Sequence, residues 1–221
     1  MIRRFPSWAL VLLTVAAAAT RSFAQEESDA TSLFNGKDLS GWTWVSSKEG
    51  VKAEEVWSVK DGVLSCTGKP PGYLRTEKDD YANYVLELEW RFPKGSAGGN
   101  SGVLLHTSTP GEIGIWPKSL EAQLFHENAG DIWVIGETCE IENAAERVKG
   151  RRHLNTSDGD EKPIGEWNQF RILCKQDAIT LFVNGKEVNH VTKCSATKGA
   201  ICLQSEGAPI EFRNIRLRPA R

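Results

Sequence analysis

Residues 116–133, WPKSLEAQLFHENAGDIW, set hydrogen-bonding and titratable side chains between two indoles. Leu120, Ala122 and Leu124 alternate with Ser119, Glu121 and Gln123, the pattern of a half-buried strand with one polar face. His126 and Asp131 follow, and Trp116 and Trp133 bracket the stretch. Carboxylates and amides suit the hydroxyl-bearing edge of a sugar ring, and indoles suit its C–H face. Glu121 can act as acid, base or metal ligand, and Gln123 can both donate and accept. His106, in SGVLLHTS, and His126 titrate near neutral pH and are the candidate bases. Strand counting puts His106 on the face of Asn100 and Leu104. Each histidine can equally be structural, and a polar strand face can simply be solvated.

Asn100 and Ser101, beside Gly98, Gly99 and Gly102, are candidate substrate contacts together with Gln123, Asp131 and Trp133. The glycines allow either a close approach to a ligand or a turn entering a strand. Asp131 with Glu121 would suit a divalent cation such as calcium, whereas His106 with His126 would suit a transition metal. No ligand spacing decides between them, so the metal stays open.

Short strands must position these groups. VWSVKDGVLSC carries the hairpin turn Asp61-Gly62, and AITLFVNGKEV carries Asn184-Gly185. YVLELEW, WNQFRILCK, AICLQSE and IEFRNIRLRP alternate in the same way, and Pro219 closes the last. Helical candidates are nearly absent. Residues 137–163 are polar, and a loop of that length is expected to be functional or mobile. Many short strands imply an all-β sandwich or barrel. Trp42, Trp57, Trp90 and Trp167 are assigned to its core. Glu87, Glu89 and Arg91 are expected to pair across strands, and Gln204, Glu206, Arg213 and Asn214 to fix the terminal strands.

The chain opens with two arginines, an apolar run and Ser22-Phe23-Ala24, the layout of a secretory signal peptide over residues 1–24. Residues 25–221 then form a single domain, secreted or periplasmic, with no other stretch able to span a membrane. The net charge is −2 and grows more negative without Arg3, Arg4 and Arg21, which argues against a nucleic-acid partner. Five cysteines, Cys66, Cys139, Cys174, Cys194 and Cys202, form no CxxC motif. One or two disulfides are possible in an oxidising compartment, and their pairing is not readable. Cys174 and Cys202 fall in alternating apolar segments and read as core thiols.

SLFNGKDLSGW, WSVKDGVLSC, GGNSGVLLHTS, LEAQL, GEWNQFRI, LFVNGKEV and ICLQSEGAPIEFRNIRLR occur in one order along the chain. In that ordered set it resembles the 3-keto-disaccharide hydrolase domain family, from about Ser32 to Arg218. The resemblance implies a concanavalin A-like jelly roll, a two-sheet antiparallel β-sandwich. It also implies cleavage of 3-keto-glucosides or 3-keto-disaccharides, with members described as 3-keto-glucoside 1,2-lyases and 3-keto-2-hydroxy-glucal hydratases. Glu121 and Gln123 match the family's Glu-x-Gln, and Asn100-Ser101-Gly102 its Asn-Ser-Gly. A C3 ketone acidifies the C2 proton, so one base can start elimination of the C1 substituent, and water then completes a net hydrolysis.

Related glucanase sandwiches place carboxylates at i, i+2 and i+4 of one strand. Here those positions are Glu121, Gln123 and Phe125, which counts against direct two-carboxylate hydrolysis. The alternative function is a lectin-like carbohydrate-binding module without catalysis, using the same polar face.

Overall fold

The computed structural model describes residues 30–157 and 159–221. The expected signal peptide lies outside them. In chain order the strands are β1 (Thr31–Ser32), β2 (Trp42–Ser46), β3 (Trp57–Lys60), β4 (Val63–Cys66), β5 (Gly72–Thr76) and β6 (Tyr84–Arg91). Next come β7 (Gly102–Thr107), β8 (Ser119–Gln123), β9 (Ile132–Ile135), β10 (Glu140–Ile141), β11 (Val148–Lys149) and β12 (Arg152–His153). The last five are β13 (Asn168–Lys175), β14 (Ala178–Val183), β15 (Lys186–Thr192), β16 (Ala200–Ser205) and β17 (Ile210–Pro219). One turn of helix, α1 (Ala144–Arg147), interrupts them.

Two antiparallel sheets result. The nine-stranded sheet runs β10-β15-β14-β13-β6-β17-β4-β3, with β1 added on β17; the eight-stranded sheet runs β11-β12-β9-β8-β7-β16-β5-β2. This is the expected jelly-roll sandwich. Both predicted hairpin turns form where the left-handed region is needed: Asp61 and Gly62 have φ of 51° and 77°, Asn184 and Gly185 have φ of 49° and 84°.

Alternation explains the core. Leu86, Leu88 and Trp90 of β6, with Phe170, Ile172 and Cys174 of β13, pack in one buried cluster with Val103, Leu105, Leu120, Ala122, Ile201 and Leu203 of the other sheet. Each large apolar side chain fully buried there contributes about 1.5–3 kcal/mol. Trp42, Trp57 and Trp90 belong to this core. Trp167 does not: it is half-buried on the outer face of the nine-stranded sheet, between the guanidinium groups of Arg91 and Arg213, 4.4 and 4.2 Å from the ring centre. Cation–π stacking replaces core packing at that position.

The eight-stranded sheet departs from simple alternation. All residues of β7, β8 and β16 are buried on both faces. On the outer face Tyr73, Leu104, Ile135 and Cys202 form a second apolar cluster, covered by Ile113, Ile115 and Trp116 from the β7–β8 connection. The polar excursion of residues 137–163 is also tied down. Its β11–β12 hairpin extends the sheet at β9, and the Arg147 guanidinium donates to the Leu154 carbonyl and, at 2.7 Å, to Asn189 Oδ1. Among the described residues no helix is long and apolar enough to cross a membrane.

Candidate functional site

The outer face of the eight-stranded sheet holds a cleft of about 230 Å³. Its floor is β8 and β9: Glu121 and Gln123 point outward, and the register sets Glu121 directly opposite Trp133. Asn100 closes one side, Trp116 and Ile135 line another, and Arg151 and Glu206 come from connecting segments. The β11–β12 hairpin returns Arg151 over the Trp133 ring, 5.3 Å from its centre.

Gly102 is required beneath this group. A Cβ there would lie 2.5 Å from both Glu121 Oε1 and Gln204 Oε1, closer than real Cβ contacts allow. The glycine lets a carboxyl and an amide converge on one strand position.

The electrostatics are unusual for a surface cleft. Burial pushes the Glu121 carboxyl well above the usual carboxylate range, and neighbouring Glu206 pushes it further; a hydrogen bond with Gln204 and the Arg151 charge oppose them. Burial likewise pushes Glu206 up to about 7, against the pull of Arg151. The cleft therefore holds two carboxyls whose protonated forms burial favours, Glu121 shifted upward and Glu206 up to about 7.

Three polar atoms at the site have no protein partner although they are buried: Gln123 Oε1, Gln204 Oε1 and Trp133 Nε1. The Gln123 amide nitrogen, by contrast, donates to Asn100 Oδ1 at 2.9 Å. Two acceptors and one donor left unsatisfied beside a cleft are groups that ligand hydroxyls would satisfy.

The structure brings together Asn100, Glu121, Gln123 and Trp133, and it places the other sequence candidates elsewhere. His106 does not share their face. β7 pairs with β16 as Leu104↔Cys202 and then Thr107↔Ala200, a bulge at which His106 takes φ 52°. The turned side chain packs edge-on against Tyr84 of the opposite sheet, with Nδ1 3.0 Å from the Ala196 carbonyl. Burial lowers its pKa, favouring neutral imidazole. His126 leaves the strand after Gln123 and pairs with Glu161, Nδ1 to Oε1 3.0 Å, packed against Phe92.

Ser101 donates its hydroxyl to the Gln204 carbonyl at 3.0 Å and ties β7 to β16. Asp131 is 1% exposed; it accepts from Arg152 Nε at 2.5 Å and from the Asn155 backbone at 2.6 Å. Both its oxygens are engaged by protein donors. Among the described residues no group of three or more His, Cys, Asp or Glu is arranged to hold a metal ion.

Sequence reasoning missed Arg151, Gln204 and Glu206. Gln204 and Glu206 stand two residues apart, a readable signal, but the position of β16 next to β7 is not local information. Arg151 lay within a loop whose return over Trp133 depends on the β9–β12 pairing.

The family described as 3-keto-alpha-glucoside-1,2-lyase-like domain matches residues 29–218. No curated protein matches the chain significantly. Among solved structures, one provisionally assigned glycosyl hydrolase from Parabacteroides distasonis is 24% identical, with 86% of this chain and 98% of that one covered and a TM-score of 0.62. A carbohydrate-binding module from Bacillus subtilis is 9% identical, covers 80% and 95%, and has a TM-score of 0.59. The β-glucanase of Bacillus licheniformis is 12% identical, covers 86% and 97%, and has a TM-score of 0.52. At these identities the structural likeness shows the sandwich fold.

Proposed function

The chain belongs to the 3-keto-alpha-glucoside-1,2-lyase-like domain family, and from that membership and the cleft we propose that it cleaves 3-keto-glucosides by elimination and hydration. Carbohydrate processing or binding is what the family supports directly. The carrying observation for catalysis is that two carboxyls, Glu121 and Glu206, line one cleft together, both pushed above the usual carboxylate range by burial.

Glu206, as carboxylate, takes the C2 proton, and the electrons move into the C3 carbonyl to give an enolate. The Arg151 guanidinium, the cation lining the same cleft, stabilises that oxygen. Collapse of the enolate expels the C1 oxygen, which takes the proton from Glu121. Hydration reverses these roles: Glu121, now ionised, activates water for C1, and Glu206 returns its proton to C2. The three unpartnered atoms of Gln123, Gln204 and Trp133 hold the sugar edge, and the Trp116 and Trp133 rings meet its faces.

Family members act through a ketone, which suits a site with a single buried acid–base pair. We further propose that residues 25–221 act as one unit outside the cytoplasm, because residues 1–24 read as an export signal. The export proposal is checked by fractionating the producing cells.

The test of function is incubation with a 3-keto-glucoside and with its unoxidised parent, following conjugated glucal by ultraviolet absorbance and released aglycone separately. Cleavage of the keto compound alone, lost in Glu206→Gln, is expected. If neither is cleaved while both bind, the cleft is the non-catalytic sugar platform of a lectin-like module.

A further inference from the structure

All five cysteines lie in or against the apolar clusters, Cys194 inside the larger one and Cys139 packed against it. Cys66, Cys174 and Cys202 are buried in the apolar clusters, and burial pushes their thiols up to about 11, 12 and 12. These are inert core thiols.

Cys139 and Cys194 are set against each other by a local irregularity. β10 pairs with β15 with Glu140 opposite Thr192. Lys193 then takes φ 49°, which inserts one extra residue on that strand. The ladder resumes as the Ser195 N–H donates to the Thr138 carbonyl at 2.9 Å and the Thr138 N–H to Ser195 Oγ at 2.8 Å. Because of the extra residue, Cys139 now opposes Cys194. Opposed residues of an antiparallel pair have Cα atoms roughly 4.5–5.5 Å apart, within the range of about 4.4–6.8 Å that a disulfide bridges.

A third group completes the arrangement: His153 Nδ1 lies 3.4 Å from Cys139 Sγ. Burial, aided by the Arg147 charge, lowers the His153 pKa, so its imidazole is neutral and able to accept a thiol proton. The hydrogen bond from Cys194 holds Cys139 below the usual thiol range, while that contact and burial push Cys194 up. Cys139 is half-buried and Cys194 fully buried. Accessibility and thiolate character thus favour the same sulfur as nucleophile.

We propose that Cys139 and Cys194 form an oxidisable dithiol that a disulfide-bearing oxidant closes, with Cys139 attacking and Cys194 resolving. The Cys139 thiolate forms a bond to one sulfur of the oxidant, whose S–S bond breaks and releases a first thiolate. Cys194 loses its proton and attacks the Cys139 sulfur, which releases the second thiolate. Two protein thiols are oxidised by two electrons, the oxidant is reduced to two thiols, and the two protons lost by the protein end on them. The bond fastens the start of the excursion that carries Arg151 to the edge of the nine-stranded sheet.

The experiment uses the full chain with oxidised glutathione, followed by alkylation of remaining thiols and peptide mapping without reduction. Loss of two of the five thiols, with one linked peptide pair joining Cys139 to Cys194, is expected. Five alkylated thiols, or a linkage through Cys66, Cys174 or Cys202, overturns the proposal. In Cys194→Ser, glutathione should remain trapped on Cys139, whereas Cys139→Ser should take up none. Glutathione carried by Cys194 in the latter variant would overturn the assigned order of attack.

Discussion

The outer faces of the two sheets are both rich in charged and polar side chains, yet they are in opposite electrostatic states. On the nine-stranded sheet charge is paired: Arg213 with Glu89 at 2.7 Å, Arg91 with Glu211 at 2.6 Å, and Arg171 with Glu87 at 3.8 Å. Trp167 is clamped between two of those arginines. A groove of about 390 Å³ runs over this face, larger than the cleft on the other sheet. On the eight-stranded sheet two carboxyls share a cleft with raised pKa values, and three buried polar atoms lack protein partners. A surface whose polar groups satisfy one another is structural; one that keeps buried groups unsatisfied has free energy left to spend on a ligand.

The strongest way to break this comparison is to neutralise the carboxyls. Glu206→Gln and Glu121→Gln should each lower kcat/KM on a 3-keto-glucoside by roughly 10²–10⁴-fold. Unchanged turnover in both would remove the acid–base assignment. Gly102→Ala should follow at about 10²-fold, because the added methyl displaces both Glu121 and Gln204; steady-state kinetics beside circular dichroism would separate this from unfolding.

The pH dependence sharpens the same contrast. Rate should rise with pH as Glu206 ionises, through an apparent pKa of about 7, and fall again when the acid Glu121 loses its proton. The stability effect has the opposite sign. A carboxyl with a raised folded-state pKa favours folding below its unfolded value, and that advantage is lost as pH rises through about 7. Glu206→Gln should therefore be near neutral for stability at pH 4 and stabilising by about 1–3 kcal/mol at pH 8, measured by urea unfolding at both values.

Trp133→Ala should raise KM about tenfold with a smaller effect on kcat, from loss of the ring face and its indole donor. The smallest effect belongs to the paired face: Arg213→Ala should leave activity unchanged and cost no more than about 1 kcal/mol. A loss of turnover there would show that the nine-stranded face also serves the reaction.

The strands, their hairpin turns and the inward face of the core were legible because alternation and turn chemistry are local. Glu121 and Gln123 were legible for the same reason, as outward positions of a single strand. His106 was misplaced because one bulge residue reverses the face that counting assigns. Asp131 and Ser101 looked like site residues by proximity in the chain, but Arg152 and the Gln204 carbonyl engage them. Trp167 was assigned to the core by its type, and two arginines hold it outside.

Composition and periodicity by themselves determined an all-β fold of sandwich or barrel type with one polar strand face, and the ordered set of motifs carried the resemblance to the family. Only the tertiary structure decided that Glu206, Gln204 and Arg151 join Glu121, that His106 turns away, and that Cys139 meets Cys194. The physical reason is that alternation is written within each strand, whereas neighbours across a sheet come from distant segments. Burial, which raises the carboxyl pKa values and leaves the amides unsatisfied, exists only once those segments have met.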